Sequence, residues 1–138
     1  MTDHTLTDDQ MRQLMPFAAH LGIELAAASP DEVVGRLSWA PHLTTVAGIL
    51  HGGVLMSLAD CVGATCAFLN LPEGSQTSTT SSNIAFLRAV RDGFVTATAR
   101  PLHVGRSTIA VEVDVTDDTG RRVARVTQSQ AVLTTEPG

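Results

Sequence analysis

The residues of this chain best suited to chemistry stand in one stretch, Gly48-Ile49-Leu50-His51-Gly52-Gly53-Val54-Leu55-Met56-Ser57-Leu58-Ala59-Asp60. A glycine pair opens an apolar run, and a single carboxylate follows eight residues after Gly52. Glycines at the start of a helix let a ligand come close to the backbone. The free amides of a first turn, with the positive end of the helix macrodipole, suit an oxyanion developing on an acyl carbon. The alternative is that Gly52 and Gly53 only make a tight turn into the helix. His51 lies beside that turn, where a lone histidine is more often a satisfied structural residue than a catalyst. Asp60 is harder to explain by packing, because a carboxylate in an otherwise apolar helix is costly to desolvate and usually has a partner or a task. Burial would make it a better base toward water, and direct attack on an acyl carbon is the other route open to it. Spacing restricts the geometry: eight helical residues at ~1.5 Å each put roughly 12 Å between Gly52 and Asp60 along the axis. One carbonyl cannot touch both. If both act on one acyl group, Asp60 has to come from a second subunit whose helix runs alongside.

Residues 53–71 are apolar or small for about five turns, interrupted chiefly by Ser57, Asp60 and Asn70, which predicts a helix nearly surrounded by protein. A short amphipathic helix is predicted from Thr7, where Thr7-Asp8-Asp9-Gln10 has the form of a capping box ahead of Met11, Leu14, Met15 and Phe17. Pro16 marks a kink in it, and Gly22 its end. Residues 23–28 and 32–39 read as two strands joined through Ser29-Pro30-Asp31. Downstream, residues 77–87, 93–103, 108–115 and 122–133 are rich in Val, Thr and Ile and read as strands, the last two joined across Asp117-Asp118-Thr119-Gly120. The class is therefore α+β, a curved antiparallel sheet wrapped around a long central helix. With no internal repeat, low-complexity tract or linker, residues 1–138 read as one domain, with an ordered core of about residues 7–134 and frayed ends.

Composition narrows the function. The net charge of -5 and the lack of a basic run offer no footprint for nucleic acid. The start of the chain is polar and acidic, no stretch reads as the roughly 18 apolar residues of a membrane span, and a cytoplasmic protein with no membrane partner is expected. Cys61 and Cys66, five apart on one helix, point to different faces, so a disulfide between them is not expected. The five scattered histidines and the absence of Cys-x-x-Cys or His-Glu-x-x-His spacing give no support for a metal site.

His51-Gly52-Gly53 followed by Leu58-Ala59-Asp60 resembles the signature of hotdog-fold thioesterases related to the phenylacetate-pathway and 4-hydroxybenzoyl-CoA enzymes. The runs Asn83-Ile84-Ala85-Phe86-Leu87-Arg88-Ala89-Val90-Arg91-Asp92-Gly93 and Arg100-Pro101-Leu102-His103-Val104-Gly105-Arg106 look like the bacterial 1,4-dihydroxy-2-naphthoyl-CoA thioesterases. Together the similarity covers about residues 15 to 134. It implies a hotdog fold and hydrolysis of an acyl-CoA, aryl or medium-chain, to a carboxylate and free CoA. No cofactor is implied beyond the coenzyme A of the substrate, and a homodimer or homotetramer is implied, with the site at the dimer interface. In this family a Gln or Asn six residues before the motif His contacts the thioester or water, the first motif Gly donates the oxyanion-hole amide, and the acidic residue is catalytic; here those positions hold Thr45, Gly52 and Asp60. Thr45 departs from the pattern, since a hydroxyl is shorter than an amide and cannot donate and accept through separate atoms. The acidic residue is Glu in the naphthoyl-CoA branch and Asp in the phenylacetate-like branch, so the two halves of the chain resemble different branches.

The resemblance also places a Ser or Thr from the strand after the helix near the carboxylate. Alignment on Asn83 gives Thr79, with Ser78 one residue out of register; on an extended strand Thr79, Ser81 and Asn83 share a face and Ser78 points away. His51 and Gly53 complete the candidate site. Arg88, Arg91, His103 and Arg106 are candidates for the phosphates of coenzyme A, which arginines grip in bidentate fashion. Leu55, Met56 and Cys61 are candidate linings of the acyl pocket, a role their packing in a core would explain equally well. Two rival readings remain: a non-catalytic acyl-CoA binder, favoured by Thr45, and a hotdog enoyl-CoA hydratase, which needs a His and carboxylate pair.

Overall fold

The computed structural model describes residues 6–134; residues 1–5 and 135–138, read above as frayed ends, lie outside the described residues. The chain opens as expected. Thr7 caps helix α1 (Asp8–Leu14): its hydroxyl accepts from the Gln10 amide at 3.1 Å, and the Gln10 side chain accepts from the Thr7 amide at 2.9 Å. Pro16 does more than kink this segment. It lacks the N–H that would continue α1, so the helix stops at Leu14 and a second one, α2 (Pro16–Leu21), starts with the proline in its first turn.

Six strands follow the order of the sequence: β1 (Glu24–Ala28), β2 (Val33–Ser38), β3 (Ser75–Phe86), β4 (Phe94–Val104), β5 (Thr108–Asp117) and β6 (Arg122–Thr134). They form one antiparallel sheet in the spatial order β1-β2-β4-β5-β6-β3. Helix α3 (Gly52–Leu69) lies against it and touches β2, β3, β4, β5 and β6. The period-two pattern explains why. Leu37 on β2, Val95, Ala97 and Ala99 on β4, and Ile109, Val111, Val113 and Val115 on β5 point inward and are fully or almost fully buried, as are Leu58, Ala59, Val62 and Cys66 of α3. This is the hotdog arrangement expected from the element order.

One expectation about α3 needs correction. Its 18 residues, with a mean hydropathy of 1.6, are long and apolar enough to cross a membrane by length and composition alone. Its packing against the sheet identifies it instead as the core helix of this fold, with ten of its residues buried.

The strand that borders α3 on its open side is β3. Its 12 residues pair with β6 along one edge only, and the other edge faces no strand among the described residues. Thr79 is paired with Gln130 and Ser81 with Ser129, so Thr80 is the extra residue of a β-bulge. The bulge reverses the side-chain alternation beyond it. The face shared by Thr79 therefore continues through Ser82 and Ile84, opposite Gln128 and Val126, and not through Ser81 and Asn83 as simple alternation predicts.

Candidate active site

The start of α3 is held by the loop before it. The Thr45 amide donates to Ile49 O at 2.7 Å, the Leu50 amide to Val90 O at 2.8 Å, the His51 amide to Leu43 O at 2.9 Å, and Trp39 Nε1 to Gly48 O at 3.0 Å. The tight turn puts Ala47 at φ 60°, a left-handed conformation that costs a non-glycine residue about 1–2 kcal/mol. His51, at φ −63° and ψ 135°, is the N-cap, and its Nδ1 accepts from the Gly53 amide at 2.8 Å. The structural reading of His51 thus accounts for its position. That bond engages the Gly53 amide, leaving Gly52 as the glycine of the pair whose first-turn N–H has no partner within the helix. Gly52 also faces the ring of Phe86, which would stand 3.1 Å from a Cβ there. An open depression of about 370 Å³ lies over it, lined in part by Thr45, Ile49, Gly52, Phe86 and Arg88.

Asp60 lies two turns further on, in a second depression of about 190 Å³ lined by Met56, Ser57, Asp60, Thr79 and Ser82. The two depressions share no residue, as the rise along the helix requires. Thr79 Oγ1 donates to Asp60 Oδ1 at 2.9 Å, so the strand residue favoured from sequence does meet the carboxylate. Ser78 points to the opposite, exposed side. The expected burial of Asp60 is not found in the protomer: the residue is exposed along the open side of α3. Its neighbour Cys61 is buried, and burial, reinforced by the Asp60 charge, pushes its thiol up to about 11. That thiol stays protonated at neutral pH and is no nucleophile. Cys66, also buried and unpaired, is raised to about 11 by burial and by Asp31.

The four candidate phosphate ligands do not come together on one protomer. The amides of Leu87 and Arg88 reach Val123 O, at 2.8 and 3.3 Å, whereas Ser107, beside Arg106, accepts from Val132 N at 3.0 Å. Those anchor points are nine residues apart on β6, roughly 30 Å. Arg88 borders the Gly52 depression. Arg91 lines a different one with Asp92, Asp117 and Asp118, whose charges compete with a phosphate. His103 and Arg106 are at the far end of the sheet, exposed near the β4–β5 turn. His51 and Asp60, the pair a hydratase would require, border different surfaces, with His51 occupied as a cap. Among the described residues no three His, Cys, Asp or Glu side chains cluster closely enough to hold a metal ion.

Two features escaped the sequence reading. One is an apolar cavity of about 260 Å³ between α1 and α3, lined by Leu14, Met15, Ala64, Thr65, Phe68 and Thr77 among others. Ala64 is one helical turn beyond Asp60, and no pattern in the sequence announces that α1 borders this cavity. Of the residues proposed for the acyl pocket, Leu55 and Cys61 are buried and Met56 borders the carboxylate depression. The other feature is a pair of fully buried glutamines, Gln128 and Gln130, at inward positions of β6. Polar residues at the two inward positions between Val126 and Val132 are a readable anomaly.

Similar proteins agree with this architecture. The family model for the thioesterase superfamily matches residues 47–124, more than half of the chain and inclusive of both depressions' helix. The proofreading thioesterase EntH of Cronobacter turicensis is 31% identical over 114 residues, which cover 83% of each chain. Among solved structures, the thioesterase HI1161 of Haemophilus influenzae superposes with a TM-score of 0.88 at 30% identity, covering 94% of this chain and 92% of that one. The PaaI protein from the phenylacetic acid degradation operon of E. coli, at 24% identity and a TM-score of 0.80 over 88% of this chain and 86% of its own, shares the fold. A glycine-opened core helix, a carboxylate on its open side and a hydroxyl bonded to that carboxylate all fall within the matched architecture, and the chain belongs to the thioesterase superfamily.

Proposed function

We propose that this hydrolase cleaves the thioester of an acyl-CoA, with the Gly52 amide binding the oxyanion and Asp60 of a second copy of the chain supplying the carboxylate. The observation that carries the reading is the placement of Gly52 and Asp60 on one helix, in separate depressions, each facing the side that β3 leaves open. A second chain docked along the free edge of β3 would bring its α3 alongside, cover the exposed Asp60 and complete each site with a residue from either copy. In the general-base route Asp60 takes a proton from water as its oxygen bonds to the carbonyl carbon, and the C–S bond then breaks to release carboxylate and CoA thiol. In the nucleophilic route Asp60 attacks the carbonyl carbon, the C–S bond breaks to release CoA thiolate, and water then opens the mixed anhydride to the product carboxylate and free Asp60.

Thr45 supplies a shorter polar contact where relatives of the implied branch use an amide. Arg88 is the cation best placed for a phosphate, beside Gly52, and Arg106 or His103 would join it only from another protomer. The apolar cavity one turn beyond Asp60 has room for an aryl or medium-chain acyl group. A cytoplasmic location fits the two unpaired buried cysteines. Thiol release from a panel of aromatic and aliphatic acyl-CoAs tests the assignment. Asp60→Ala should lower kcat about a hundredfold or more at unchanged oligomeric state. Equal turnover in the variant removes Asp60 from the mechanism, and tight binding with no turnover in either protein makes the chain an acyl-CoA binder.

A further inference from the structure

The inward positions of β6 run Val126, Gln128, Gln130, Val132, and the two glutamines are 0% exposed. Their amides converge on one atom. Gln130 Nε2 donates to Thr79 Oγ1 at 2.8 Å, and Gln128 Nε2 approaches the same oxygen at 3.5 Å. A hydroxyl has one proton and two lone pairs. With amide N–H groups on the acceptor side, the proton of Thr79 is left for Asp60 Oδ1, 2.9 Å away. Behind Gln130, the single Thr77 hydroxyl proton is shared between Ala131 O at 2.9 Å and Gln130 Oε1 at 3.2 Å, so the bond to Gln130 is the weaker of the two. Turned over, Gln130 would present its oxygen to Thr79 and compete with the carboxylate for the same proton.

Stability does not explain Gln128. Gln128 Oε1 is buried with no hydrogen-bond partner among the described residues, a destabilising condition that an apolar side chain of similar volume would relieve. Helix α3 even makes room for it: at Gly63 a Cβ would stand 3.2 Å from Gln128 Nε2. Thr79 is paired directly with Gln130 and the Thr80 bulge interrupts the pairing only after it, so the hydroxyl is aimed from a strand position that the sheet itself has set.

We infer that Gln130, assisted by Gln128, is a positioning residue that holds the Thr79 hydroxyl as a donor to the catalytic carboxylate. The inference rests on the reading of Asp60 given above. Gln130 is fully buried and has no hydrogen bond to Asp60, and its effect passes through Thr79.

The test is steady-state kinetics on one acyl-CoA for Gln130→Met, Thr79→Val, the double variant and Asp60→Ala, with the melting temperature of each. Gln130→Met should lower kcat roughly tenfold, with KM within about twofold and no fall in melting temperature. The same substitution should have no further effect in the Thr79→Val background. A glutamine that only supports the fold would lower the melting temperature and add its loss to that of Thr79→Val. Wild-type kcat in Gln130→Met, or additive losses, overturns the inference while an inactive Asp60→Ala leaves the carboxylate reading intact. Wild-type turnover in Asp60→Ala removes both. Should Gln130→Met not fold, Thr77→Val decides: a reduced kcat that vanishes in the Thr79→Val background supports the relay, and an unchanged kcat overturns it.

Discussion

Helix α3 has two unlike flanks. Toward β2, β4 and β5 it presents Leu58, Ala59, Val62 and Cys66, all fully buried against Val, Ala and Leu side chains. Toward β3 it presents Met56 and Phe68, 42% and 46% exposed, together with the open carboxylate of Asp60. The strand on that side is Ser and Thr for most of its first eight residues, and its outer edge faces no strand among the described residues. The closed flank asks only that space be filled. The open flank leaves apolar side chains and the Asp60 carboxylate in solvent, the condition of a surface that a second chain covers.

The largest effect expected from this contrast comes from removing one N–H on the open side. Gly52→Pro deletes the proposed oxyanion donor at the first helical position, where proline is well tolerated, and His51 at φ −63° and ψ 135° already has the extended conformation that a following proline demands. The half-exposed Phe86 ring must give by a few tenths of an ångström. Activity should fall by about 10²–10³-fold with the fold retained; a variant of near wild-type rate would remove Gly52 from the oxyanion hole. Next in size is Leu58→Ala on the closed flank, which should cost about 2–5 kcal/mol of stability by denaturant titration. Asp60→Ala, two residues away on the open flank, should change protomer stability by no more than about 0.5 kcal/mol. Equal losses for the two would erase the distinction between the flanks.

Much of the closed flank was legible because it follows from periodicity. The strands and the core helix lie within a few residues of their predicted limits, and the Thr7 capping box forms as its side chains require. The open flank was legible only where chemistry stood out against apolar sequence. Asp60 interrupts an apolar helix, and Thr79 meets its carboxylate, although not on a face shared with Ser81 and Asn83. Beyond Thr79 simple alternation misled, because the bulge at Thr80 depends on how β3 pairs with β6 and leaves no mark in β3 itself. The expected burial of Asp60 assumed that the chain surrounds its own helix, whereas among the described residues the sheet ends at β3. The four cations were all candidates for the phosphates of one coenzyme A, but β4 runs the length of the sheet between Arg91 and His103. Gln128 and Gln130 could have been found from the two-residue period of β6 alone.

The most direct test of a site shared between two chains is to mix Gly52→Pro with Asp60→Ala, each inactive alone, under conditions of demonstrated subunit exchange. Random pairing makes half of the dimers mixed, and each mixed dimer has one intact site, so recovery to about a quarter of wild-type thiol release is expected. Full exchange with no recovery of activity would contradict the assembly of the site from Gly52 of one chain and Asp60 of another.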